Sequence, residues 1–172
     1  MSVESASDIG EVRRGEYLVS TNPALLDLDV IHGFLADCYW AKGIPRELVA
    51  RAIDHSLCFG IYHESAVTSD PETHARKLGR TQVGFARVVS DFATVAYQGD
   101  VFILGPHRGR GLSKWMMECI MQHPQLQGLR RWILLTRDAH RLYERFGFTP
   151  VKAPERYMEL HRPDIYGNKG SI

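Results

Sequence analysis

Cysteine is scarce in this chain: Cys38, Cys58 and Cys119 are the only three in 172 residues. No CxxC pair occurs and no histidine pair at zinc-ligand spacing accompanies them, which excludes a disulfide framework and argues against a structural zinc site or any other metal. The expectation is three reduced thiols in a cytoplasmic protein. Long apolar runs are also missing. Nothing approaches the ~18 consecutive apolar residues of a membrane helix, and the opening "MSVESASDIGEVRRG" has no apolar stretch of signal-peptide type. Charge of one sign is missing too. Lys and Arg total 21 against 20 Asp and Glu, a net charge of +1. No general attraction for nucleic acid or an anionic membrane follows, so any anion site must be local.

What is present reads as one soluble domain. The chain is 44% hydrophobic and 24% charged, enough to bury a core unaided. Residues 1–12 are expected to form a loose leader, 13–162 the domain, and 163–172 a polar tail. "EYLVSTN" reads as a first strand. Leu28, Ile31, Leu35 and Tyr39 have helical spacing, and Pro45 opens a second helix in "PRELVARAIDHSL". "CFGIYH", "TQVGFARVVSDF" and "TVAYQGDVFIL" read as strands, the last two close enough for antiparallel pairing. Residues 64–80 are polar with Pro and Gly and read as a hairpin loop. After a helix to about Gln122 come a strand "LRRWILLT", a helix "DAHRLYERFG" and a last strand "RYMELH". The order predicts an α/β (α+β) domain with a mixed sheet.

Between "DVFIL" and the helix "LSKWMMECIM" lies "GPHRGRG". A helix N-terminus leaves backbone N–H groups unpaired and carries roughly half a positive charge. Glycine lets the backbone approach a ligand and take positive φ. Arg108 and Arg110 add local charge. The junction therefore suits a pyrophosphate. Counting from Gly105, Arg110 stands where a Walker loop needs its second glycine. A dinucleotide fingerprint from Gly109 fails at Lys114.

"RGRGLS" at 108–113 resembles the [Q/R]xxGx[G/A] loop of the GNAT acyltransferase superfamily, with Ser113 at a position usually Gly or Ala. "AHRLYERFGF" at 139–148 resembles the family's second hallmark, and the element order over about residues 15–161 also matches. The resemblance implies a mostly antiparallel GNAT-like sheet flanked by helices, with acetyl-CoA or another acyl-CoA as co-substrate. By the same resemblance, Arg108, Gly109, Arg110, Gly111, Leu112 and Ser113 hold the pyrophosphate. Phe102, Ile103 and Leu104 offer backbone to the pantetheine arm and thioester carbonyl. Thr136, where the family often has Asn, and Ala139 contact the cofactor. Tyr143 matches the tyrosine that protonates the leaving thiolate. The amine attacks directly, so Cys119 is expected in the core.

Several relatives carry a Glu base where this chain has Gly99. Asp100 is the first candidate in its place and Asp91 the second, with Tyr97 a further polar group on that strand. On the acceptor side, Tyr39, Trp40, Lys42 and Arg46 form an aromatic and basic cluster suited to an amine with an apolar body and a carboxylate. The expected partner is a small-molecule amine, with the protein a monomer or homodimer. A peptide N-acetyltransferase and a catalytically weak acyl-CoA sensor are the competing readings.

Overall fold

Alternation of buried and exposed residues along the strands sets the architecture. In the computed structural model, which describes residues 10–66 and 78–167, six strands form one sheet in the order β1-β2-β3-β4-β5-β6. They are β1 (Glu11–Arg14), β2 (Tyr17–Ser20), β3 (Leu57–Ala66), β4 (Leu78–Ser90), β5 (Val95–Ile103) and β6 (Arg131–Leu134). All neighbours are antiparallel except β5 and β6, which run parallel. Adjacent residues point to opposite faces. Phe59, Ala86 and Ile103 face one core, while Cys58, Phe85 and Phe102 face the other.

The first face is covered by α3 (Leu112–Gln122) and α4 (His140–Glu144), the second by α1 (Leu28–Asp37) and α2 (Arg46–Asp54). In α3, Met116, Met117 and Ile120 are fully buried, each side chain stabilising the layer by about 1.5–3 kcal/mol through burial. α1 starts where Asp27 accepts from the amides of Asp29 and Val30, an N-cap that satisfies orphan donors. The Asp27 amide donates to Gln82 Oε1 of β4 at 2.7 Å, which ties the cap to the sheet.

Three expectations change. β1 opens at Glu11, inside the stretch read as leader, and pairs with β2 through a two-residue turn in which Gly15 has φ 59°. Glycine at the first central position is what a tight hairpin of this twist needs. β3 runs on to Ala66 and β4 begins at Leu78, so the connection is shorter than residues 64–80; the rest of that stretch, 67–77, lies outside the described residues. The last strand does not form. Residues 157–161 take no regular structure and join no sheet, and Met158 and Leu160 are 99% and 84% exposed. The alternation in "RYMELH" satisfied the strand pattern, but a strand also needs a partner edge.

Candidate active site

The loop after β5 is built around two glycines. β5 gives way to a short turn at Gly105–His107, then Gly109 (φ 76°) and Gly111 (φ 73°) swing the chain into α3. Residues other than glycine are strained by about 1–2 kcal/mol in that region. A Cβ at Gly109 would meet no atom within 4 Å, so the concave side of the loop is open. The amides of residues 109–114 find no protein acceptor among the described residues, whereas the Arg108 amide donates to Gly105 O at 3.1 Å. Six free N–H groups at the start of an eleven-residue helix form a cradle that fits a pyrophosphate.

Side chains around this loop differ from the reading of sequence alone. Arg108 turns back and donates from Nε to Ile103 O at 2.8 Å, bracing the loop on the strand it leaves. Arg14 arrives from β1. Its guanidinium lies 4.7 Å from the Trp115 ring and donates to Gly111 O at 3.4 Å. No local pattern marked Arg14, because its partners lie about a hundred residues on. His107 shares a 3.0 Å hydrogen bond with Tyr17 Oη. Burial, then the charges of His63 and Arg110, lowers its proton affinity below the usual histidine range.

A bulge in β5 opens the space beside the loop. Opposite β4, Arg87 pairs with Gly99 and Phe85 with Phe102, so Asp100 and Val101 together face one residue. Asp100 takes φ 53°, a left-handed conformation unusual for a residue with a side chain. Pairing with β6 stops just before, at Gln98 and Leu134. Past that point the two parallel strands separate around a cavity of about 1600 Å³. Gly99, Asp100 and Val101 line it on one side, with Leu135, Thr136, Ala139 and Tyr143 on the other.

The cavity therefore meets β5 at residues 97–101, slightly earlier than the expected Phe102, Ile103 and Leu104. Phe102 and Ile103 are buried in the two cores. Ile103 O is held by Arg108 and the Leu104 amide donates to Val83 O at 2.8 Å. Thr136 Oγ1 accepts from the Ala139 amide at 3.0 Å, closing the turn into α4 and leaving its own O–H to donate elsewhere.

Tyr143 is 7% exposed and packs edge-on against Phe148. Burial, with smaller contributions from Tyr39, Tyr97 and Asp138, pushes its phenol up to about 12. It is a protonated hydroxyl at any physiological pH, able to donate to a developing anion. Burial likewise pushes Cys58 up to about 12 and Cys119 up to about 11, so these thiols are poor nucleophiles. All three cysteines are free.

Asp100 is the most connected polar group of the site. Its Oδ2 accepts from Arg87 Nε at 2.7 Å and its Oδ1 from Trp40 Nε1 at 3.2 Å. Arg87 also donates to Ser56 Oγ. One carboxylate thus joins the bulge, β4 and the α1–α2 connection. Trp40 stands edge-on to Tyr39, and the guanidinium carbon of Arg137 lies over Tyr39, 3.9 Å from the ring centre. Tyr39, Trp40, Lys42 and Tyr97 line the cavity as the sequence suggested.

Two expected residues stand apart. Arg46 does not line the cavity and pairs with Asp29 at 2.7 Å on the exposed flank of α1 and α2. Asp91 occupies the β4–β5 turn, accepting from the Thr94 hydroxyl and the amides of Ala93, Thr94 and Val95. Those donors, the hydroxyl first, hold its carboxyl well below the usual carboxylate range. Arg87, Val101, Arg137 and residues 159–163, 165 and 166 also line the cavity and were not foreseen. Of these, Arg137 had a sequence signal, since it follows Thr136 directly. Among the described residues, no cluster of His, Cys, Asp or Glu is placed to hold a metal ion, and no helix is long and apolar enough to cross a membrane.

A parallel strand pair whose pairing ends at Gln98 and Leu134, a loop of unpaired amides and a buried phenol thus meet at one cleft. Residues 72–150 match the family model of the acetyltransferase (GNAT) domain. A Gibberella zeae protein provisionally named an acetyltransferase is 38% identical over 138 residues, 76% of this chain and 77% of its own length. This chain belongs to the GNAT acetyltransferase family. A crystal structure from Xanthomonas campestris pv. campestris, provisionally described as a GNAT-family acetyltransferase, is 50% identical with a TM-score of 0.77, covering 91% of this chain and 100% of that one. A Clostridium acetobutylicum structure solved with acetyl-CoA shares the fold at 14% identity and TM-score 0.53, covering 84% of this chain and 94% of that one.

Proposed function

We propose that the protein transfers an acetyl group from acetyl-CoA directly to a primary amine of a small molecule. The observation that carries this reading is the junction of two features. The unpaired amides of residues 109–114 lead straight into the gap between β5 and β6, and the protonated Tyr143 lines that gap. In this reading the loop holds the pyrophosphate and the separated strands take the pantetheine arm. Backbone at the bulge polarises the thioester carbonyl; one such donor contributes about 3 kcal/mol.

The chemistry balances with groups of this chain. The amine nitrogen forms a bond to the carbonyl carbon, the carbon–sulfur bond breaks, and Tyr143 gives its proton to the departing sulfur. Asp100 is the proposed acceptor of the proton that the amine releases, through lone pairs not used by Arg87 and Trp40. The demand on that base depends on the amine. At pH 7, freeing a lysine-like amine of pKa ~10.4 costs about 4.6 kcal/mol, against about 1.4 for an α-amine near 8. A carboxylate already engaged by two donors suits the second case better.

Residues 39–42 and residues 159–163, 165 and 166 wall the cavity from two sides, which favours a small acceptor over a peptide passing through. Free thiols fit a reducing cytoplasmic setting. The test is thiol release from acetyl-CoA across a panel of amines and short peptides. Turnover with small amines and none with peptides is the expected result. Saturable acetyl-CoA binding without transfer to any amine would support an acyl-CoA sensor instead.

A further inference from the structure

The cavity holds cations that no carboxylate balances. Arg87 is matched by Asp100 at 2.7 Å. Lys42, Arg51, Arg137 and Arg162 also line the space, and none has an ion-pair partner among the described residues. Only Asp138 and Glu159 are unpaired carboxylates there. The surplus is positive, and solvating it with water alone leaves it available to a ligand.

Arg137 differs from the other three in sitting over an aromatic ring. Its guanidinium carbon lies 3.9 Å from the Tyr39 ring centre, Tyr39 stands at 82° to Trp40, and Trp40 is hydrogen-bonded to Asp100. A cation–π contact engages the charge without using the N–H groups. No side-chain or backbone acceptor among the described residues takes those N–H groups. A guanidinium with its N–H groups unspent can receive a carboxylate or phosphate through two parallel hydrogen bonds. Arg46, which the sequence suggested for this task, is occupied by Asp29.

We infer that the acceptor is an amine bearing an oxyanion, received by the unspent N–H groups of Arg137 where it sits over Tyr39. This rests on the acyltransferase reading and narrows it to a substrate class. With the oxyanion clamped at Arg137, the amine end is left to face Tyr143 and the bulge, which share the cavity.

Calorimetric titration of matched amines into the CoA-loaded protein tests this directly. The pairs are β-alanine with propylamine, and O-phosphoethanolamine with ethanolamine. At least one oxyanion-bearing member is expected to bind about 10- to 100-fold more tightly than its partner lacking the oxyanion. Whichever pair shows the larger ratio identifies carboxylate or phosphate as the group read. Arg137→Gln should collapse that ratio to near one, and Arg137→Lys, which keeps charge but not the fork, should restore part of it. Equal binding within both pairs, no binding of either oxyanion-bearing member, or a ratio that survives Arg137→Gln would overturn the inference. So would a tenfold loss of acetyl-CoA affinity in Arg137→Gln, which would assign the guanidinium to the cofactor. Absence of acetyl-CoA binding in the unaltered protein would overturn the acyltransferase reading itself, and this inference with it.

Discussion

The two halves of the cleft are built in opposite ways. The proposed anion cradle lies in one continuous stretch, residues 105–114, with its geometry set by local features: two glycines at positive φ and the amides that open a helix. The proposed acceptor wall is assembled from residues 39–42, 87, 97–101, 136–139, 159–163, 165 and 166, which meet only in the folded chain. A function carried by backbone conformation is written locally. A function carried by side-chain convergence depends on how distant elements pack. The cradle should therefore fail through single changes of glycine, while the wall should fail through loss of shared partners such as Asp100.

The largest effect expected is on the cradle. Gly111→Glu adds about 1–2 kcal/mol of backbone strain and places a negative charge where phosphate is proposed to sit. Acetyl-CoA affinity should fall by roughly two orders of magnitude or more, measured by calorimetry on a variant whose circular dichroism confirms folding. Retained affinity would separate the glycine loop from anion binding.

Tyr143→Phe comes next. It should lower kcat by about a hundredfold with little change in acetyl-CoA affinity. Because burial raises this phenol to about 12, the donor stays protonated as pH rises. A pH–rate profile should show no loss from tyrosine ionisation up to about pH 10, the pKa of a free phenol. A basic limb near pH 8 that vanishes in Tyr143→Phe would contradict the assignment of the proton donor.

A smaller effect is expected at the joint of the wall. Asp100→Ala leaves the Arg87 guanidinium, only 20% exposed, without its carboxylate. Stability should drop by about 3 kcal/mol, seen as a lower Tm, with turnover lost alongside. Asp100→Asn keeps an acceptor for Trp40, so it should recover stability better than activity. Recovery of both would make Asp100 an anchor only.

The smallest effects belong to residues that the structure places outside the cavity. Arg46→Gln breaks an exposed ion pair and should change stability by less than about 1 kcal/mol, with kcat/KM within about twofold. A large loss of activity would bring Arg46 back to the acceptor wall.

Much of the fold was legible because its signals are periodic and local. The helix positions Ile31 and Leu35 are buried as their spacing indicated, whereas Tyr39 lies past the end of α1 and is 50% exposed. The β4–β5 hairpin and the glycine junction fall where their residues placed them. What escaped was pairing. β1 was hidden because "EVRR" has no apolar alternation and forms a strand through its partner β2. "RYMELH" has alternation but no strand beside it. Within the site, Tyr143 and the loop were marked by motifs. Arg14, Arg87 and Arg137 matter through a Trp115 ring, an Asp100 carboxylate and a Tyr39 ring far off in sequence. Asp91 and Asp100 looked alike as candidate bases on neighbouring strand ends. The turn hydrogen bonds of one and the bulge position of the other distinguish them.

The most direct measurement is a calorimetric titration of acetyl-CoA into the full chain and its Gly111→Glu variant, with NAD as comparator. One saturable site of micromolar affinity in the unaltered protein, lost in the variant and absent for NAD, is the expected result. No saturable binding, or equal binding by both proteins, would contradict the claim that residues 109–114 and the adjoining gap form an acyl-CoA site.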